Sequence, residues 1–216
     1  NKKLIDREMT IAGGTLECCL KALDNGISFN IAGGTHHAFS NRGEAFCLLN
    51  DQAIAAQYLI NKLDINKILI IDLDVHQGNG TAEIFKKNHK VFTFSMHGKK
   101  NYPFQKIKSD LDIELLDGTE DHQYLEILNE NLNVLINKVN PEFIFYLSGV
   151  DILKTDKLGR LSMSIKGCKL RDEIVISKCY EKKIPVQCSM GGGYSEELKI
   201  ILEAHSNTFR IASKIF

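Results

Sequence analysis

The chain has 216 residues, 44% of them hydrophobic, which is enough for one domain with a sizeable core and reads nowhere as disordered. Lys plus Arg and Asp plus Glu both number 27, so the formal net charge is zero and the bulk footprint of a nucleic-acid or anionic-lipid binder is absent. No apolar run approaches the roughly 20 residues of a membrane span, and no signal peptide is expected at the start of the chain.

Taken in chain order, Leu4 to Leu23 reads as an amphipathic helix stopped by Asp24-Asn25-Gly26, followed by a short apolar strand, ISFNIAGG, that ends in two glycines. From Phe46 to Leu63 apolar residues recur at helical spacing, with Ile54, Tyr58 and Leu59 expected on one face. A strand over Lys67 to Leu73 comes next. Further strands are expected at Lys90 to Ser95, Glu142 to Gly149 and Ile184 to Gly193, alternating with helices at Thr81 to Lys87, His122 to Asn137, Cys168 to Glu181 and Glu196 to Ile215. Strands separated by helices make βαβ units, hence an α/β fold of three layers, α/β/α, around a mostly parallel sheet. The long non-periodic stretch from His97 to Asp121 is expected to build the rim of a site. No linker divides the chain, so residues 1–216 read as a single domain.

Cysteine usage bears on compartment. The six cysteines, Cys18, Cys19, Cys47, Cys168, Cys179 and Cys188, include no C-x-x-C pair, so a structural zinc cluster or thioredoxin-type motif is not indicated. They read as reduced thiols in a cytoplasmic protein.

The chemistry concentrates at strand ends. Asp72, Asp74 and His76 follow the apolar run ILII two residues apart; alternation along a strand would bring all three out on one side, where Gly78 and Gly80 break it. In parallel α/β sheets ligands bind at the carboxyl ends of strands. Asp74 and His76 can offer oxygen and nitrogen to one divalent metal, and Asp151, which ends the apolar strand YLSGVD, supplies a third ligand. Such a set leaves a position open for water, as catalytic metal sites do. The alternative is that these acids cap helices or accept loop amides.

Adjacent His36 and His37 in GGTHHAF can act as general acid and base on one centre, or be two surface histidines. In SMGGGYS, glycines including Gly192 and Gly193 let the backbone approach a ligand, and Tyr194 offers a hydroxyl donor. No Lys-Ser/Thr follows them, so the loop is a poor phosphate cradle.

Taken together, GGTHHA, FCLLND, DLDVHQGNGT, GTED, SGVDILKTDKLGRLSMS and GGGY, in that order from about Ile11 to the end, resemble the histone deacetylase superfamily. The Q-G-N-G after His76 and the D-x-L-G-x-L-x-x-S after Asp151 resemble its class IV branch and related bacterial deacetylase-like proteins. The resemblance implies an arginase/deacetylase-type fold and a zinc-dependent amide hydrolase. In it Asp74, His76 and Asp151 hold Zn2+, His36 and His37 flank the water that the metal activates, and Tyr194 donates to the substrate carbonyl. It further implies that Asp72 orients His36 and, with Ser95 and main-chain oxygens of Asp74 and His76, helps hold a structural K+. Asn79 stands where many members have the Asp that partners the second histidine, so a charged neighbour for His37 is not expected. Phe46 and Tyr102 would line a channel for an acyl-lysine stem, with a core role as the alternative for each.

The implied substrate is an acylated lysine of a protein. A small acylated amine such as an acetylpolyamine, long-chain deacylation, and a catalytically inactive acyl-lysine binding module remain as rival readings, and neither nucleic acid nor membrane is expected as a partner. Domains of this family begin with a strand, helices and a rim loop ahead of the position of Asn1. A chain lacking that N-terminal portion, with an interior strand missing from its sheet, is therefore expected.

Overall fold

The structure, a computed structural model, describes residues 2–216. Six strands form one sheet: β1 (Ile27–Asn30), β2 (Ile68–Asp72), β3 (Val91–Gly98), β4 (Leu111–Leu115), β5 (Phe143–Leu147) and β6 (Val186–Ser189). Every pairing is parallel, and the spatial order is β1-β6-β5-β2-β3-β4. Among the described residues the six strands are hydrogen-bonded one to the next without a gap, in place of the expected sheet with an interior strand missing. Six helices are described with them: α1 (Lys2–Asn25), α2 (Asp51–Leu63), α3 (Asn79–Phe85), α4 (Asp121–Val139), α5 (Ile165–Lys182) and α6 (Leu198–Ile215); they alternate with the strands except that β4 follows β3 directly.

Strand alternation sorts the core into two faces. Ile68, Ile70, Phe143 and Phe145 pack with Cys19 and Ala22 of α1, Ala53, Ala56, Leu59 and Ile60 of α2, and Phe85 of α3. Leu69, Ile71, Ile144 and Tyr146 pack with Leu128 and Leu132 of α4, Val175 and Cys179 of α5, and Ala204 of α6. Both faces of the central strands are therefore dry, which is why β2 and β5 are unbroken apolar runs rather than alternating ones.

Two elements depart from expectation. α2 begins at Asp51, not Phe46: Asn50 caps it by accepting the Ala53 N–H at 3.1 Å, and Ala45 has φ 51, which no helix tolerates. Its buried face is the alanine-rich one facing α1, while Ile54 and Tyr58 are 42% and 37% exposed. The stretch from His97 to Asp121 also holds an edge strand, β4. Its acidic residues hid it in the sequence, and Asp112 is occupied there, accepting from Gln77 Nε2 and from the Ser109 N–H.

The topology places the site. From β2 the chain runs outward to β3 and β4, and from β5 it runs the other way to β6, so direction switches between β2 and β5, whose carboxyl ends open a crevice. Arg171 of α5, fully buried, ties the two ends together. Its guanidinium donates to the carbonyl oxygens of Gly149 at 2.5 Å, Leu73 at 3.4 Å and Ser148 at 3.4 Å, and is paired with Asp172 at 2.7 Å. Asp172 in turn accepts from Tyr146 and Thr208, so the buried ion pair is satisfied on all sides.

Candidate active site

Two carboxylates and an imidazole meet in that crevice. β2 stops at Asp72, so Asp74 and His76 lie beyond it on an irregular segment and not, as alternation predicts, on one face of a strand. Hydrogen bonding brings them together instead. Asp74 Oδ1 accepts the His76 backbone N–H at 2.9 Å and lies 3.0 Å from His76 Nδ1. Asp151, in the turn after β5, accepts the Val75 N–H on Oδ1 at 2.9 Å and places Oδ2 3.2 Å from His76 Nδ1. One donor atom from each of the three lies within 4.8 Å of the others.

The donor set fits a divalent ion. Asp151 Oδ2 is buried and, despite its closeness to His76, has no hydrogen-bond partner among the described residues. Burial and the Asp74 carboxylate push Asp151 up to about 7, against the opposing pull of His76, as expected of two carboxyl groups held close together out of water. The surroundings are shaped for close approach: the Gly192 N–H donates to Asp74 Oδ2 at 3.0 Å, and a Cβ at Gly192 would collide with Asp151 Oδ2.

His36 and His37 stand beside this group, both buried, with ring centroids 4.1 Å apart. Their loop is held by Asp51, which accepts from the Gly34 and Thr35 N–H groups at 3.0 and 2.9 Å, from the Thr35 hydroxyl at 2.8 Å and from Thr15 at 2.6 Å. Gly33 and Gly34, at φ 81 and 78, make the turn that delivers the pair. The two rings have different partners. His36 Nδ1 is 2.6 Å from Asp72 Oδ2, and His37 Nδ1 is 2.7 Å from Asn79 Oδ1. Burial alone would lower His36, but the Asp72 and Asp74 carboxylates outweigh it and push the ring up to about 9. Burial and the neighbouring His36 push His37 down to about 3. The two imidazoles are thus pushed in opposite directions.

A cavity of about 630 Å3 opens over the group. Phe46, Tyr102, Phe104, Leu158, Met190 and Tyr194 are among its walls, so Phe46 and Tyr102 lie at the cavity and not in the core. Phe46 is 76% exposed and its ring stands 5.9 Å from that of Tyr194, while Tyr102 meets His37 edge-on at 5.0 Å. Tyr194 is anchored by its N–H, which donates to Asp156 Oδ2 at 2.6 Å. A Cβ at Gly193 would collide with the Val150 side chain. Ser95 is in register with Asp72 across β2 and β3, and its hydroxyl lies 2.9 Å from His97 Nδ1.

Sequence reasoning had no role for Asp51, Asp156 and Arg171. Asp51 lies inside the quoted motif FCLLND and Asp156 inside SGVDILKTDKLGRLSMS, so the motifs were the available signal for those two. Arg171 gives itself away only as an Arg in a half-apolar helix.

Residues 1–209 match the histone deacetylase domain family. An uncharacterized protein of Picosynechococcus sp. (strain PCC 7002) is 44% identical over 99% of this chain and 71% of its own length. Histone deacetylase 2 of Arabidopsis thaliana is 35% identical over 92% of this chain, and the chain spans 52% of that relative. Among solved structures, an HDAC homolog complexed with SAHA superposes with a TM-score of 0.80 at 26% identity, over 94% of this chain and 56% of that one. The HDA15 HD domain gives a TM-score of 0.79 at 23% identity, covering 94% and 62%, and shares the fold.

Proposed function

The chain belongs to the histone deacetylase domain family, and from that premise we propose that it hydrolyses an Nε-acyl-lysine amide with a zinc ion held by Asp74, His76 and Asp151. The observation that carries this reading is the buried Asp-His-Asp group, with one carboxylate oxygen left without a partner, beside an imidazole pair at the floor of an aromatic-walled cavity. Zn2+ held there would supply Lewis-acid polarisation of the acyl carbonyl and a water of lowered pKa.

The chain's own groups do the rest. The neutral ring of His37, partnered by an amide and not a carboxylate, takes the proton from the attacking water. His36, kept cationic by Asp72, stabilises negative charge and gives a proton to the amine as the C–N bond breaks. Tyr194 donates its hydroxyl hydrogen to the carbonyl oxygen as charge builds there. The products are a carboxylate and a free amine. Phe46 and Tyr102 enclose the lysine stem, and Gly192 and Gly193 bring backbone against it. Asp72, Ser95 and the main-chain oxygens of Asp74 and His76 are the proposed holders of a structural K+. The Q-G-N-G segment and the pattern after Asp151 support a class IV-like assignment within one catalytic domain spanning residues 1–216.

The test is turnover by the zinc-loaded protein on acetyl-lysine and myristoyl-lysine peptides and on an acetylated polyamine. Zinc-dependent release of a carboxylate from a lysine peptide is expected. A protein that binds one zinc and turns over none of the three would overturn the reading.

A further inference from the structure

Asn79 is an amide where a hydrogen bond to His37 must be specified, and an amide has two faces. Left alone it could present oxygen or nitrogen to the ring and so accept either imidazole tautomer. What lies on its far side decides. Asn79 Nδ2 donates to Glu44 Oε1 at 2.8 Å, and the same oxygen accepts the Tyr102 hydroxyl at 2.6 Å. The other carboxylate oxygen accepts from Arg42 at 3.1 Å. The Glu44 backbone is fixed as well, bonded both ways to Cys47 at 2.9 Å.

An ionised carboxylate only accepts. The NH2 of Asn79 must therefore face Glu44, its oxygen must face His37, and His37 Nδ1 must carry the hydrogen. In the neutral ring the lone pair is then on Nε2, the nitrogen turned away from Asn79. We propose that Glu44 is a positioning residue that sets the tautomer of His37 through the Asn79 amide. The inference rests on the reading of His37 as the base. His37 has the neutral amide partner expected of Asn79, and the Glu44 carboxylate stands one hydrogen bond further out, where it orients the amide without touching the ring. The Tyr102 and Arg42 donors keep Glu44 ionised, with the Tyr102 hydrogen bond the largest influence holding its carboxyl below the usual range.

The test reads the tautomer directly, by 15N–1H spectra of histidine-labelled, zinc-loaded protein at neutral pH, with His37 assigned from a His37→Gln sample. The wild type is expected to show the Nδ1–H form alone. Glu44→Leu, which removes the acceptor, should admit the Nε2–H form and lower kcat about 10- to 100-fold, the usual effect of losing an outer hydrogen-bond partner. Adding Asn79→Asp to Glu44→Leu supplies an acceptor that cannot flip and should restore the Nδ1–H form. A Glu44→Leu protein that keeps the Nδ1–H form alone, or a double variant in which it does not return, overturns the proposal. The spectra need no turnover, so a protein inactive on every acyl substrate but shifted in tautomer would sink the hydrolase reading and leave this inference standing.

Discussion

Asp151→Ala removes the one buried carboxylate oxygen that has no hydrogen-bond partner among the described residues, leaving His76 Nδ1 facing Asp74 alone. Two protein donors hold zinc poorly, so the variant should lose stoichiometric metal together with activity. Full zinc occupancy by elemental analysis in an inactive Asp151→Ala protein would reject the assignment of Asp151 as a ligand. Tyr194 makes a different kind of contribution. Its backbone is pinned to Asp156 while its ring lies at the cavity wall, so Tyr194→Phe leaves the wall and the metal group in place and takes away only a donor. Loss of such a donor costs about 100- to 1,000-fold in kcat with zinc retained. An unchanged kcat would remove Tyr194 from the chemistry. These residues were legible because each sits in a short motif at a strand end. Glu44 was not, since its work depends on a contact 35 residues away in sequence.

At the scale of elements, α5 does more than cover the sheet. Arg171 donates to carbonyls at the ends of both β2 and β5, and those ends carry Asp74 and Asp151. Arg171→Met would strand Asp172 as a buried charge, which costs about 3–5 kcal/mol, and would free the two loops to move apart. The expected result is a large fall in denaturation midpoint together with about 10- to 100-fold weaker zinc binding in competition with a chelator. Unchanged zinc affinity would limit Arg171 to a structural role. Helices and strands whose apolar residues are large were readable, among them α4, β2 and β5. In α2 the buried side is made by Ala53, Ala56 and Leu59, while Ile54 and Tyr58, expected on one face with Leu59, are partly exposed. A small side chain scores little in an apolar tally, yet it is what two close helices require.

For the whole molecule, acid stability turns in part on His205 of α6, which is buried. Burial and then Arg171 push the ring down from 6.5 to about 4, against the opposing pull of Asp172 and Asp74. The unfolded chain therefore binds a proton at this residue below pH 6.5 that the folded chain refuses until about pH 4. The stability that His205 contributes is complete above pH 6.5 and is lost as pH falls toward 4. Denaturant titrations at pH 7 and pH 5 should show the wild type losing on the order of 1–2 kcal/mol more than His205→Gln. Equal losses would mean that His205 is protonated in the fold. The sheet order was less open to sequence than this core: alternating elements imply parallel strands, but nothing local says that β5 returns to lie between β2 and β6.

That return has a kinetic meaning. His36, Asp74, Asp151 and Tyr194 come from four strand ends, and the crevice does not exist until β5, late in the chain, has inserted beside β2. Closing so long a loop is slow, and little of the metal group is available to the chain before it closes. Zinc should then add nothing to the rate at which the chain refolds and should act on its escape from the native state. In stopped-flow chevrons the refolding arm should superpose with and without zinc while the unfolding arm drops. A refolding arm that accelerates with zinc would mean that Asp74 and His76, neighbours in sequence, already grip the ion in the unfolded chain and draw Asp151 in.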